Sequence, residues 1–278
     1  MYLIILAWFN SILSTSLISI FALSYHEWYD YLWIIPIAAG CILVSHLWNF
    51  VYFAIISIFV RMKGDFAEKP NKFYRWFAEE CLYFLKYFIR YRVKKEGFEK
   101  IPNEGRFVLL INHRSNFDAL VNMVELRGKE VSFIAKKEIS SVPIIRKYIY
   151  ALGFLKLDRD DVRQNIKAIR KAQEYINKDY CSIGICPEGT RNKTKEALLP
   201  FKPGALKVAT LTKVPVVMIT MKNTELIGKH FPFRNTTIFM RVVETINYED
   251  YKDMSTNELS DYCEKKMRES LIEMSELK

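Results

Sequence analysis

The first 60 residues contain neither lysine nor arginine, although the chain of 278 residues carries 41 of these cations. Glu27 and Asp30 are the only acids in that stretch, so residues 61–278 hold 29 acids, all 41 cations and a net charge of +12. A basic body of this kind can face nucleic acid, an anionic membrane or acidic small molecules. The cation-free apolar segment before it favours the membrane, because tethered cations are attracted to anionic headgroups.

The patterns that identify several protein classes are missing. The five cysteines form no C-x-x-C pair, and no set of histidine, cysteine and acid has the spacing of metal ligands. No Walker or Rossmann glycine pattern follows a predicted strand, and G-x-S-x-G does not occur. We therefore expect reduced thiols in a cytosol-facing body, with no metal and no cofactor.

Two apolar runs, at 2–23 and 31–60, are each long enough to cross the hydrocarbon core, which takes about 20 residues. The short linker between them has no cation, whereas Arg61 and Lys63 follow the second run closely. By the positive-inside rule, the body then lies on the cytoplasmic side of the membrane. We predict a membrane-embedded helical hairpin over residues 1–62. A hairpin that enters only one leaflet is the alternative.

Residues 71–92 mix aromatic and cationic side chains at roughly helical spacing. Rings that lie at headgroup depth beside cations are typical of a helix at a membrane surface. We predict an interfacial aromatic and basic helix with its linker over residues 63–95. A core helix that covers one face of the domain is the alternative.

From residue 96 to 278, short apolar runs alternate with helical patterns. Such alternation predicts one α/β domain, a mixed sheet covered by helices, behind the N-terminal membrane hairpin. The predicted buried strands lie at 106–112, 131–135, 153–157, 181–186, 214–220 and 236–243.

The segment INHRSNFDAL follows the first of these strands, at the edge where α/β folds bind ligands. It places His113 in a loop and Asp118 in the first turn of a predicted helix. From there, Asp118 can accept the Nδ1 proton of His113, and Nε2 is then available to take a proton from a substrate hydroxyl. A structural histidine, or an aspartate that merely caps its helix, is the alternative.

The CPEGTRN turn follows a later strand. Gly189 allows a close backbone approach, Thr190 offers a hydroxyl, and Arg191 has the fork that suits phosphate oxygens. Glu188 would orient Arg191 or accept a hydrogen bond from a substrate hydroxyl. A charged β-turn with a local Glu188–Arg191 pair is the alternative. Cys186 ends an apolar strand and has no partner base, which favours core packing.

Four blocks of the sequence occur in the order NHRSNFD, AKKEISSVPIIRKYIYALGFLKLDR, PEGTRN and VPVV. They resemble the glycerolipid acyltransferase family of the lysophosphatidic acid acyltransferase (1-acylglycerol-3-phosphate O-acyltransferase) type, over about residues 96–245. The family usually has an aromatic residue at Cys186, serine at Asn192 and a proline nearer Met218. These departures bear on the identity of the acceptor, and none of them falls on the dyad or on a phosphate-binding residue that the resemblance implies.

The resemblance implies a His–Asp dyad at His113 and Asp118 that acts as the general base. It implies that the PEGTR block holds the phosphate of the acceptor, with further cations from the second block. The phosphate-binding residues would be Glu188, Gly189, Thr190, Arg191, Arg159 and Lys137.

The implied reaction is transfer of a fatty acyl group from acyl-CoA or acyl-carrier protein to the free hydroxyl of lysophosphatidate, giving phosphatidate. Membrane lipids are the expected surroundings, and nucleic acid is not an expected partner. Another lysolipid or glycerol 3-phosphate is the alternative acceptor. A non-catalytic lipid-binding membrane protein is the alternative from a different class.

Overall fold

A seven-stranded mixed sheet forms the centre of the computed structural model, which describes residues 1–23, 25–136, 141–157 and 161–276. The strand order is β1-β7-β6-β2-β5-β3-β4. The strands are β1 (Tyr91–Glu96), β2 (Val108–Ile111), β3 (Val131–Lys136), β4 (Leu155–Leu157), β5 (Ser182–Ile185), β6 (Val216–Lys222) and β7 (Thr236–Ile246).

The five strands from β6 to β4 are parallel to one another, β7 is antiparallel to β6, and β1 pairs in parallel with β7. The carboxyl ends of β2, β5 and β6 therefore share one edge. The chain leaves β2 towards β3 and leaves β5 towards β6, in opposite directions along the sheet. Ligands in α/β sheets bind at such a switch point. The predicted mixed α/β sheet is confirmed.

Helices cover both faces of the sheet. Leu109 and Ile111 of β2 enter one core cluster, whereas Val108 and Leu110 enter the other. Strands buried on both faces are continuously apolar, which is why this run could be predicted from the sequence. The helices are α1 (Tyr2–Phe21), α2 (Ile34–Ile58), α3 (Lys72–Phe88), α4 (Asp118–Glu125), α5 (Pro143–Ala151), α6 (Val162–Asn177), α7 (Lys207–Thr212), α8 (Ile227–His230), α9 (Tyr248–Tyr251) and α10 (Thr256–Ser275).

Helix α3 has a buried face and an exposed aromatic face. Phe77 and Phe84 are buried in the core, while Phe73, Trp76 and Tyr87 are exposed. The core-helix alternative therefore describes one side of α3, and the other side keeps the aromatic surface on which the interfacial prediction rests.

The predicted helix at 71–92 extends too far, because α3 ends at Phe88 and β1 begins at Tyr91. The sequence of β1 is YRVKKE, and Tyr91 is its only buried residue. An edge strand of this kind lacks the apolar run that indicates a buried strand. The predicted ends of the membrane hairpin at residue 62 and of the interfacial segment at residue 95 stay predictions. Strand β1 spans residue 95.

Helices α1 and α2 form an antiparallel pair. The rings of Trp8 and His46 lie 5.6 Å apart, and Phe53 of α2 stacks at 4.0 Å on Tyr148 of α5. Two helical segments, Tyr2–Phe21 and Trp28–Ile58, are long and apolar enough to cross a membrane. Most of their side chains are exposed, as expected for a surface that meets lipid rather than protein.

Candidate active site

Three segments meet at the carboxyl edge of the parallel strands. They are the loop after β2 that contains His113, the turn after β5 at 186–192, and the turn after β6 at 223–226. Hydrogen bonds between the three segments determine where each side chain lies.

His113 and Asp118 form the predicted pair. His113 Nδ1 lies 2.9 Å from Asp118 Oδ2, and the backbone N–H groups of Arg114 and Ser115 each donate to the same oxygen over 2.8 Å. Asp118 begins α4 and is 1% exposed, whereas the His113 side chain is 22% exposed. With Asp118 accepting the Nδ1 proton, Nε2 can accept a proton from a bound hydroxyl.

Asn112 fixes the start of the His113 loop to the neighbouring strand. Its Nδ2 donates to the carbonyl of Met221 over 2.9 Å, and its Oδ1 accepts from the N–H of Met221 over 2.7 Å. Asn112 is buried, so both of its polar groups are satisfied within the protein. Asn112 could not be assigned from the sequence, because its partner lies on a strand whose position beside β2 depends on the fold.

Thr224 makes a further contact to the His113–Asp118 pair. This contact was not predicted from the sequence either. The residue before it, Asn223, has φ of 74°, a left-handed conformation that asparagine tolerates better than most residues. Thr224 then donates from Oγ1 to Asp118 Oδ1 over 2.5 Å. The Asn-Thr sequence after an apolar strand was the available signal.

Glu188 binds backbone rather than a neighbouring cation. Its Oε1 accepts from the N–H of His113 over 2.6 Å, and its Oε2 accepts from the N–H of Leu199 over 2.9 Å. Burial raises the pKa of Glu188, and these two hydrogen bonds oppose that rise. The described contacts include no Glu188–Arg191 ion pair, so the β-turn alternative based on that pair is not observed.

The 186–192 turn also holds His113 from its other side. The N–H of Asn192 donates to the carbonyl of His113 over 2.7 Å, and Asn192 Nδ2 donates to the carbonyl of Glu196 over 2.8 Å. Gly189 has φ of 66°, and a Cβ there would lie 3.3 Å from Cγ of Lys202. The turn therefore needs glycine for its backbone conformation and has little room for a side chain.

The described contacts do not join the remaining predicted phosphate-binding residues to His113. Arg191 is exposed and Thr190 is half-buried, and the described contacts join neither side chain to His113. Lys137 and Arg159 lie outside the described residues.

Cys186 lies beside the two buried carboxylates. Burial, together with the nearby charges of Asp118 and Glu188, raises the pKa of its thiol well above the ordinary value. A protonated thiol is a poor nucleophile, which agrees with core packing. Within the described ranges, no group of three or more His, Cys, Asp or Glu side chains could hold a metal ion.

We predict that Glu188→Gln lowers both activity and stability. The amide can accept one of the two backbone N–H groups but turns a donor towards the other, which costs about 1–3 kcal/mol. The resulting shift of His113 should lower turnover about 10- to 100-fold. Thermal unfolding and turnover of the purified protein measure the two effects. Glu196→Gln, at an exposed carboxylate in the same region, is the control. Wild-type behaviour of Glu188→Gln would contradict the assigned role.

Part of the chain matches a family of known proteins. Residues 92–222, which include the His113 loop and the 186–192 turn, match the family model described as Acyltransferase. The 1-acyl-sn-glycerol-3-phosphate acyltransferase of Saccharomyces cerevisiae is 26% identical over 203 residues, which are 72% of this chain and 65% of that protein. The Haemophilus influenzae protein of the same name is 27% identical over 181 residues, or 64% of this chain and 75% of that protein.

A solved structure is similar over most of the chain. It is the crystal structure of the 1-acyl-sn-glycerophosphate (LPA) acyltransferase PlsC from Thermotoga maritima, with a TM-score of 0.58 and 26% identity. The match covers 74% of this chain and 79% of that one. Residues 92–222 of this chain therefore resemble an acyltransferase domain, and the relatives and the solved structure are similar over a longer stretch.

Proposed function

We propose that this protein transfers a fatty acyl group from an acyl thioester to the free hydroxyl of 1-acylglycerol 3-phosphate, giving phosphatidate. The observation that carries the proposal is the contact between His113 and buried Asp118, with Nδ1 and Oδ2 2.9 Å apart. The relatives are named for this acceptor, which supports lysophosphatidate. The donor would be acyl-CoA or acyl-carrier protein.

In the proposed reaction, Nε2 of His113 takes the proton of the acceptor hydroxyl. The hydroxyl oxygen of the acceptor attacks the thioester carbonyl at the same time. The tetrahedral intermediate collapses, the C–S bond breaks, and the imidazolium returns the proton to the departing thiolate. Asp118 stabilises the imidazolium while it carries the charge. The acceptor supplies the nucleophile, so the protein needs no catalytic serine or cysteine.

We propose that the phosphate of the acceptor is held by the turn after β5. Arg191, Lys193 and Lys195 are exposed cations on and after that turn, and Gly189 within the turn is exposed too. Charge-assisted bonds from a guanidinium to phosphate are among the strongest hydrogen bonds in proteins. Since both oxygens of Glu188 accept backbone N–H groups, we assign it the support of the loop rather than contact with phosphate.

We further propose that the carboxyl edge of the sheet faces a membrane from its cytoplasmic side. Ring contacts lead from Phe50 of α2 to Phe88 of α3 at 6.1 Å, and from Phe88 to Phe231 after α8 at 5.6 Å. Phe233 in the same loop is 87% exposed, and Arg234 beside it is exposed too. Apolar rings beside cations suit an anionic lipid surface, which would hold the acceptor close to His113.

We expect purified protein to form phosphatidate from lysophosphatidate and an acyl thioester. His113→Ala should lower kcat about 10²- to 10⁴-fold, because general-base catalysis contributes that much. Asp118→Asn should slow turnover as well, since it no longer stabilises the imidazolium. His230→Ala, at a histidine that contacts Thr236 instead, is the control and should keep wild-type turnover.

The assay combines acyl-CoA and acyl-carrier protein with lysophosphatidate, glycerol 3-phosphate and a neutral lysolipid, so it also identifies donor and acceptor. The proposal fails if wild-type protein turns over no combination, or if His113→Ala keeps full activity. A lipid-binding protein without catalytic activity would give the first of these results.

We predict that Arg191→Ala raises KM for lysophosphatidate about 10- to 100-fold, the equivalent of one charged hydrogen bond. KM for a neutral acceptor such as a monoacylglycerol should change little, because it has no phosphate. Lys252→Ala removes an exposed cation beyond α9 and is the control. Equal effects of Arg191→Ala on both acceptors would argue against phosphate binding.

We predict that Phe233→Ser raises KM for lysophosphatidate presented in vesicles about 3- to 10-fold, because an exposed ring no longer enters the lipid surface. KM for a short-chain, water-soluble lysophosphatidate should be unchanged. Leu211→Ser removes another exposed apolar side chain, on α7, from the opposite edge of the sheet. If the two variants behave alike, the membrane-facing orientation is wrong.

A further inference from the structure

The two oxygens of Asp118 have separate partners. Oδ2 lies 2.9 Å from His113 Nδ1 and accepts from two backbone N–H groups of the loop, whereas Oδ1 accepts from Thr224 over 2.5 Å. Asp118 and Thr224 are each 1% exposed. Water therefore has little access to Oδ1, and the Thr224 hydroxyl satisfies it instead.

The turn that contains Thr224 is fixed at both ends. Before it, Met221 pairs with Asn112 through two hydrogen bonds, so the end of β6 is fixed beside the end of β2. After Met221, Asn223 adopts its left-handed conformation and donates from Nδ2 to the carbonyl of Thr237 in β7 over 3.0 Å. The contacts of Met221 and Asn223 thereby fix the turn to the end of β2 and to β7. The Thr224 hydroxyl contacts Asp118 from this fixed turn.

A buried carboxylate that is held at only one oxygen can rotate about its Cβ–Cγ bond. Rotation of Asp118 would move Oδ2 away from His113 Nδ1, and the imidazole would lose its orientation. With Oδ1 bound to Thr224, rotation breaks a charge-assisted hydrogen bond, which is among the stronger kinds. Preorganised geometry of this sort is what general-base catalysis requires.

We propose that Thr224 is a positioning residue of the pair. Its hydroxyl fixes the carboxylate plane of Asp118, which in turn holds Nδ1 of His113 and leaves Nε2 directed at the acceptor hydroxyl. Thr224 acts through Asp118 and need not contact either substrate. The inference rests on the proposed function, because it assigns Thr224 to a reaction in which His113 is the base.

The test compares Thr224→Val, which keeps the shape and removes the hydroxyl, with Thr224→Ser, which keeps the hydroxyl. We expect kcat of Thr224→Val to fall about 10-fold or more, with KM for donor and acceptor within about twofold of wild type. Thr224→Ser should keep kcat within about threefold, because it can still donate to Oδ1. A merely structural threonine would not separate kcat from KM in this way.

Thr220→Val is the matched control. Thr220 is a buried threonine of β6, and its hydroxyl contacts Ser270 of α10 at 2.9 Å rather than Asp118. We expect this variant to lower the thermal unfolding temperature without lowering kcat. Thr224→Ala, which removes the hydroxyl with less steric demand, is assayed with the others so that poor folding of the valine variant does not decide the result.

The outcomes distinguish this inference from the proposed function. Wild-type kcat in both Thr224→Val and Thr224→Ala, or an equal loss of kcat in Thr224→Ser, would overturn the role of Thr224. Activity in wild-type protein together with its loss in His113→Ala would still support the proposed function in that case. Absence of turnover in wild-type protein would overturn both.

Discussion

Two buried carboxylates hold the loop that carries His113, and the rest of the site depends on them. Asp118 accepts from the ring and from two N–H groups of the loop, and Glu188 accepts from the N–H of His113 itself. An irregular loop must satisfy its buried backbone groups without a helix or strand. Here two carboxyl groups do so, and the donors around them offset the cost of burying polar groups.

The parallel strands and the pair could be predicted because their signals are local. Strand β2 is a continuous apolar run, and β5 and β6 are mostly apolar. His113 and Asp118 lie five residues apart across the start of a helix. Strand β1 was missed, because an edge strand buries few side chains and has no such run. Helix α3 has one face in the core, as the core-helix alternative requires, while its interfacial role stays a prediction that rests on the exposed aromatic face.

The contacts that support the pair are far apart in sequence. Thr224 lies 106 residues from Asp118, and Glu188 lies 75 residues from the N–H that it accepts. Their proximity follows from the placement of β2 between β5 and β6, and a single sequence does not reveal strand order. From the sequence, Glu188 was expected to orient Arg191 or to accept a hydrogen bond from a substrate hydroxyl, whereas in the folded chain it accepts from two backbone N–H groups.

The central position of β2 affects how the site forms during folding. Asn112 joins β2 to β6, while Glu188 and Asn192 join the next residue to the segment after β5. Contacts over such long sequence separations form slowly, because the entropy of loop closure is lost before they contribute. A partly folded chain would therefore lack the site altogether and would not have reduced activity of its own. Turnover would appear only in molecules whose parallel strands are already in register.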